Sequence, residues 1–327
     1  MHIAMASDNN YVRHLGVTIY SALENNQQED SVTIHILDSG IKRKNKICLE
    51  EIVNKFDRKI YFYNLKEYEQ KLAKGALSAN SLSTYSRIFL AQLLDRNIDK
   101  VIYMDVGAVI VDSLKDLWGE EIDNYLVAGV IDIVLTLFKL NIGLNKEDKY
   151  INAGFLLINL KLWREKNIEE KLLDFIKSNN GKITHYDQGA INAVCKDKIR
   201  YLHPKYNITT MFFMMNYERI LKLYEVSDYY SRSLVEEAKK NPVFIHYVEA
   251  GTTRPWIKGC KHPMANKYIN YLRKTPWKNE KLEADNRSLK KKIIEFSINN
   301  LPISVFKTIT NIVSNLKERN SKEYLLK

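Results

Sequence analysis

His2-Ile3-Ala4-Met5-Ala6, Val32-Thr33-Ile34-His35-Ile36-Leu37 and Lys59-Ile60-Tyr61-Phe62-Tyr63 are three short apolar runs rich in β-branched and aromatic residues. Between them lie two stretches with helical spacing, residues 11–23 and 44–56. The rhythm continues outward, with a helix over 84–94 and a fourth strand, Lys100-Val101-Ile102-Tyr103-Met104. Strands that are apolar throughout and alternate with helices predict an α/β fold, a largely parallel sheet covered on both faces. Residues 126–131 and 155–158 read as two more strands, followed by a long helix over 160–178 and another over 188–195. Residues 203–230 mix aromatic and polar side chains without a period and read as a loop-rich wall. The composition shifts near Trp277, which divides the chain into a 1–277 main domain and a basic, mainly helical tail over 278–327.

The chain has 327 residues, 45% hydrophobic and 27% charged, enough apolar material for a large globular core and too much for a disordered protein. Cys48, Cys195 and Cys260 are widely spaced, which argues against a disulfide framework and for a reducing compartment. The first residues lack a basic region followed by an apolar core, so no secretory signal is expected and a cytoplasmic location is. The most apolar stretch, 126–138, is too short for a bilayer and contains Asp132. The net charge is +11, and residues 278–327 hold 11 Lys and Arg against 6 Asp and Glu. No helix-turn-helix, zinc-finger or RNP-type pattern accompanies it, so nucleic acid is not an expected partner. In the tail, Phe306, Ile309, Val313 and Leu316 recur every three or four residues, with Lys290-Lys291-Lys292, Lys307, Lys317 and Arg319 nearby. Such a helix can pack on the domain, or dock peripherally on an anionic membrane leaflet.

Ligands of parallel sheets sit beyond the carboxyl ends of the strands. Asp8, Asp105 and Asp132 each follow a predicted strand. Any one of them can be a turn former or helix cap, and Asp8 is well placed to cap the helix starting near Tyr11. Three on one sheet edge suggest a site. Glycine-rich phosphate loops of the Gly-x-Gly-x-x-Gly and Gly-x-x-x-x-Gly-Lys types are absent. A diphosphate would therefore need a divalent ion or basic side chains. His246 at the end of the 242–245 strand, with Arg254 and Lys258, offers imidazole and positive charge.

Seven segments in order extend this reading. Ala6-Ser7-Asp8-Asn9-Asn10-Tyr11 resembles the N-terminal nucleotide-binding motif of glycosyltransferase family 8, the bacterial galactosyl- and glucosyltransferase family that includes glycogenin. Thr84-Tyr85-Ser86-Arg87, Val101 through Asp105, Ile151-Asn152-Ala153-Gly154-Phe155 and Tyr186-Asp187-Gln188 are similar to later motifs of that family. So are His246-Tyr247 through Arg254-Pro255-Trp256, and the closing Lys274-Thr275-Pro276-Trp277. The resemblance implies a GT-A fold over residues 1–277 and retaining transfer of glucose or galactose from a UDP-sugar. The acceptor would be a surface glycan, glycoprotein glycan or lipid-linked glycan. By position, Ala6, Asp8, Asn10 and Tyr11 would hold the nucleoside. Arg87, Val106, Asn152, Ala153, Gly154, Gly251 and Arg254 would hold the sugar and phosphates. Asp105 and His246 would bind Mn²⁺ or Mg²⁺ on the diphosphate. Asp187, Gln188 and Asp132 would be the catalytic group around the anomeric carbon.

The chain departs from that pattern in two places. The family's Asp-x-Asp reads Asp105-Val106-Gly107, which removes one metal ligand. The loop 246–254 is two residues longer than usual and ends in Arg254 where the family has Lys. Two readings follow from these residues: an active retaining transferase, or a pseudo-glycosyltransferase that binds UDP-sugar with impaired catalysis.

Overall fold

Each apolar run becomes a strand, and all are largely buried except the edge strand formed by residues 59–64, where Tyr61 is exposed. Strands β1 (His2–Ser7), β2 (Thr33–Asp38), β3 (Lys59–Asn64) and β4 (Lys100–Met104) pair in parallel, with β1 between β2 and β4. The computed structural model describes residues 1–66, 68 and 84–309. Adding β6 (Val127–Ile131), β7 (Ile151–Asn159) and β8 (Ile199–Tyr201) gives a seven-stranded sheet in the order β3-β2-β1-β4-β7-β6-β8. Strands β5 (Ala108–Ile110), β9 (Ile208–Thr209) and β10 (Phe244–His246) form a second sheet in the order β5-β10-β9. The α/β expectation holds, with one local exception. Strand β7 runs antiparallel to both neighbours. A strand buried on both faces looks the same in either direction, so its sequence carried no sign of this.

Side chains alternate across β1, and both faces are covered. Ile3 and Met5 join one buried cluster with Leu15 and Ile19 of the Val12–Glu24 helix. Ala4 points into the other cluster, with Tyr103, Leu156 and Trp163. The helix read over 160–178 is two helices, Leu160–Glu165 and Ile168–Ser178. Asn167 separates them with φ of 51°, a left-handed conformation that Asn tolerates better than most residues. The 203–230 wall is more regular than its composition suggested. It contains β9 and the helices Thr210–Met214 and Tyr217–Tyr224, elements too short to show a period. Its aromatics stack on one another, Phe212 on Tyr229 at 5.7 Å.

The described part of the tail packs on the main body. Arg13 pairs with Glu280 at 3.0 Å and with Glu283. The helix Leu289–Asn300 lies behind the 249–254 loop, with Asn299 Nδ2 donating to the Gly251 carbonyl at 2.5 Å. Arg219 donates to the Ile298 and Leu301 carbonyls at 2.6 and 2.7 Å. Of the stripe expected on the last helix, Phe306 and Ile309 are helical. Val313, Leu316, Lys317 and Arg319 lie outside the described residues.

Two buried histidines tie the strands and helices together. His35 sits between His2 Nδ1 and the Tyr63 hydroxyl, 3.0 Å from each. His14 Nδ1 meets the Tyr268 hydroxyl at 2.6 Å, and its ring lies 4.1 Å from that of Trp256. Burial, reinforced by neighbouring positive groups, lowers both from 6.5 to about 3. Below pH 6.5 the unfolded chain takes up protons that the folded one refuses. Stability present in full above pH 6.5 should therefore fall toward pH 3, by about 1.4 kcal/mol per pH unit for each histidine. Thermal unfolding between pH 7.5 and 5 should show a falling Tm, with a shallower slope in His35→Gln; a flat profile in the parent protein would contradict this.

Candidate functional site

Polar residues gather where β1, β4, β6 and β10 end and where the Tyr186–Cys195 helix begins. Asp8 Oδ1 accepts from the backbone of Asn10 at 2.9 Å and of Tyr11 at 3.0 Å. This closes a turn ahead of the helix; the helix N-cap is Tyr11, which makes no side-chain cap. The expected Asp8 cap is therefore an Asx-type turn, with Oδ2 reached by the exposed Asn10 amide at 3.3 Å. A cleft of about 580 Å³ opens above it, lined by Ala6, Asp8, Tyr11, Asp105, Val106 and Arg254 among others. Arg254 donates to the Tyr11 hydroxyl at 2.8 Å, and its guanidinium lies 5.7 Å from the Trp256 ring.

Arg87 forms the floor. It is 5% exposed, on the short Thr84–Phe89 3₁₀ helix. Its guanidinium pairs with Asp105 Oδ1 at 3.1 Å and with Asp187, donates to the Ala153 carbonyl, and stacks 4.3 Å over the Tyr103 ring. Burial opposes the Arg87 charge, but Asp105 and Asp187 more than restore it. Burial pushes Asp187 above the usual carboxylate range, against the pull of Arg87 and with Asp105 adding to the rise. Arg87 and Asp187 line the cavity, yet their polar atoms mainly hold each other. The sequence suggested only their ligand-facing roles.

A second cavity of about 750 Å³ adjoins the first, and Asp132, Asn152, Ala153, Gly154, Asp187 and Gln188 are among its walls. Asp132 Oδ2 accepts from Asn152 at 2.8 Å and from Gln188 at 3.1 Å, while Gln188 Oε1 accepts from the Ala153 backbone at 3.0 Å. Burial raises the Asp132 carboxyl, and these hydrogen bonds oppose the rise. His185 and Tyr186, just before Asp187, both have left-handed backbones, with φ of 58° and 54°. Non-glycine residues hold that conformation at a cost of about 1–3 kcal/mol each, a cost often concentrated at functional sites. Nothing in their residue types announces it.

His246 Nε2 faces Asp105 Oδ2 at 3.9 Å, too far for a hydrogen bond. Burial lowers the His246 pKa, favouring the neutral ring. Arg87 occupies the other Asp105 oxygen. One carboxylate oxygen and one imidazole nitrogen thus face each other, a donor pair that fits a divalent ion whose remaining ligands are phosphate oxygens and water. Among the described residues no cluster of three or more His, Cys, Asp or Glu side chains is placed to hold a metal. Gly107 explains why. Its φ is +88°, and a Cβ there would lie 2.8 Å from the Trp256 ring, so the indole fills the direction a second carboxylate would take. Gly154 is likewise required, because a Cβ would lie 2.3 Å from His246 Cε1.

Of the expected site residues, Asn10, Gly251 and Lys258 line neither cavity; Gly251 packs on Asn299, and Lys258 is exposed with its backbone bonded to Glu283. The other expected residues converge. Sequence reading missed Asn207, which lies in the wall read as loop and contacts both Asn152 and His246. Tyr103, beneath Arg87, was read only as strand.

Comparison with known proteins gives a consistent picture. The description "Glycosyl transferase family 8" matches residues 2–260. "General stress protein A" of Bacillus subtilis is 33% identical over 282 residues, covering 85% of this chain and 94% of that one. "Lipopolysaccharide 1,3-galactosyltransferase" of Salmonella typhimurium is 26% identical over 283 residues, covering 84% and 79%. The galactosyltransferase LgtC, solved with donor and acceptor sugar analogs, has the same fold, with a TM-score of 0.68 at 23% identity over 84% of this chain and 96% of that one.

Because Gly107 is left-handed and roofed by Trp256, putting the carboxylate back should not rebuild a ligand. Gly107→Asp should lower stability by about 1–3 kcal/mol and leave Mn²⁺ affinity no tighter than the parent's. Calorimetry and thermal melts test this; a variant with unchanged Tm and tenfold tighter Mn²⁺ would refute it.

Proposed function

Because the chain belongs to glycosyltransferase family 8, we propose that it transfers glucose or galactose from a UDP-sugar, with retention, to a glycan acceptor. The observation that carries this reading is the junction of the two cavities. A cationic, imidazole- and carboxylate-bearing cleft meets the Asp132–Asn152–Gln188 cluster, with Asp105, Asn152, Gln188 and Arg254 bordering parts of both. The relatives named as lipopolysaccharide galactosyl- and glucosyltransferases support the hexose donor.

In this reading Asp8 and Tyr11 face the nucleoside, and Arg254, held by Tyr11 and Trp256, lies against the diphosphate. Breaking the sugar–phosphate bond places negative charge on the leaving UDP. Arg254 stabilises that charge more than the ground state, which is where it contributes to rate. A divalent ion at Asp105 and His246 would supply further positive charge to the same oxygens when bound. At the sugar, Asp132 accepts ring hydroxyls, and the Gln188 carbonyl dipole and the Asp132 charge favour an oxocarbenium-like centre. Asp187 acts from behind, by holding Arg87.

Gly107 supports a second reading, a protein that binds UDP-sugar without transferring it. Asp105→Ala should abolish the Mn²⁺-dependent part of UDP-sugar binding and leave the fold intact. Gln188→Ala should lower transfer by about 10–100-fold with UDP affinity nearly unchanged. UDP release with UDP-glucose or UDP-galactose supports the transferase; tight UDP-sugar binding without release or transfer supports the second reading.

The acceptor we propose is a surface, glycoprotein or lipid-linked glycan, reached from an anionic membrane surface. Among the described residues no helix is long and apolar enough to cross a membrane. On the 289–300 helix, Leu289, Ile293 and Phe296 are exposed at spacings of four and three, beside Lys291 and Lys292. Full-length protein should sediment with anionic vesicles at low salt and Phe296→Glu should sediment several-fold less; no sedimentation of the parent would remove the membrane from this account.

A further inference from the structure

The hydrogen bonds between the two cavities form one continuous chain, and its direction is fixed at two backbone amides. Gly154 N–H can only donate, and it meets Asn152 Oδ1 at 2.9 Å. Ala153 N–H can only donate as well, and it meets Gln188 Oε1 at 3.0 Å. Gln188 must then present its NH₂ to Asp132 Oδ2, and Asn152 must present its NH₂ to the same oxygen. The Gly154 anchor therefore fixes the atom at Asn152 Oδ1 as an acceptor, and the Asn152 donation to Asp132 is consistent with it. Asn207 meets that acceptor at 2.8 Å, so the Asn207 atom there is the amide nitrogen. Its carbonyl oxygen is left facing His246 Nδ1 at 3.2 Å.

An acceptor opposite Nδ1 requires Nδ1 to carry the ring proton. A neutral imidazole has only one, so Nε2 is a bare lone pair. That lone pair faces Asp105 Oδ2, another acceptor, at 3.9 Å. Two acceptors face each other with no proton between them, an arrangement stabilised by a positive ion. Asn207 is 3% exposed and reaches both partners from the position just before β9.

We propose that Asn207 is a positioning residue that fixes the tautomer of His246, holding Nε2 as a donor for a divalent ion carried on a nucleoside diphosphate. The identity of the ligand rests on the function proposed above; the tautomer does not. Asn207 matters more here than it would beside a complete carboxylate set. With Gly107 contributing no side chain, half of the protein's ligand atoms are the nitrogen it controls. Groups that orient a metal-bound histidine typically contribute 10–100-fold to affinity or activity. The same side chain also steadies Asn152, and through it Asp132, so one buried amide aligns both the phosphate and the sugar ends of the site.

The test uses the full-length protein with histidine-labelled ¹⁵N NMR and calorimetry of UDP with and without Mn²⁺; a His246→Gln variant assigns the signal. In the parent, His246 should carry its proton on Nδ1. Asn207→Ala should raise the fraction protonated on Nε2 and weaken Mn²⁺-supported UDP binding by about 10–100-fold, a larger loss than in metal-free UDP binding. Asn207→Asp keeps an acceptor for Nδ1 and should retain the proton on that nitrogen, while losing the donor to Asn152 Oδ1. An Nε2-protonated parent would overturn the proposal. So would an Asn207→Ala protein that lost only thermal stability, with tautomer and Mn²⁺ effect intact. If Mn²⁺ does not affect UDP binding in the parent, the ligand reading fails, and the tautomer of Asn207→Ala alone decides the role of Asn207.

Discussion

The site depends on one buried cation. Arg87 reaches from a 3₁₀ turn to Asp105 at the end of β4, to Asp187 at the start of a helix, and to the carbonyl of Ala153 in β7. These segments are distant in sequence and would otherwise carry two carboxylates into a poorly solvated floor. A guanidinium suits this place because its rigid fork serves several oxygens while its face stacks on Tyr103. Removing one partner of such a pair leaves an uncompensated buried charge, which typically costs about 3–5 kcal/mol. Arg87 also leaves Asp105 with one oxygen directed at His246.

From that floor the polar network runs in two directions. Toward the first cavity it supports Asp105 and His246; toward the second it continues through Asn152, Asp132 and Gln188 to the backbone of β7. Glycines 107 and 154 are the points where backbone and ring come too close for a side chain. Gly154 makes room for His246, and Gly107 lies under Trp256. Residue 107 thus contributes no carboxylate, and the indole fills the direction a side chain there would take. Arg254, on a loop supported from behind by Asn299 and the 289–300 helix, adds positive charge nearby.

Much of this architecture was legible in the sequence, for physical reasons that also mark where legibility stops. Strands β1 to β4 and the helices that follow β1 and β2 announced themselves through continuous apolar runs and helical spacing, whereas the helix read over 84–94 is a 3₁₀ helix, Thr84–Phe89, and a single turn, Leu90–Leu93. The direction of β7 did not announce itself, because burial on both faces erases the difference between parallel and antiparallel. Neither did the break at Asn167, since one left-handed residue hardly disturbs the apolar pattern around it. At the site, strand-end carboxylates and ordered motifs pointed to Asp8, Asp105, Asp132, Gln188 and His246. They could not separate residues that face the cavity from those that hold them, such as Arg87 and Asp187. Asn207 was invisible because a lone asparagine in an aromatic, aperiodic stretch looks like a turn until its two partners are located.

The most direct test of the account is a crystal structure of the protein with UDP and Mn²⁺. The account predicts the uracil and ribose in the cleft beside Asp8 and Tyr11, and the diphosphate against Arg254. It places the ion between Asp105 Oδ2, His246 Nε2 and phosphate oxygens, with no ligand from residue 107. A nucleotide bound elsewhere, or an ion that bypasses both Asp105 and His246, would contradict it.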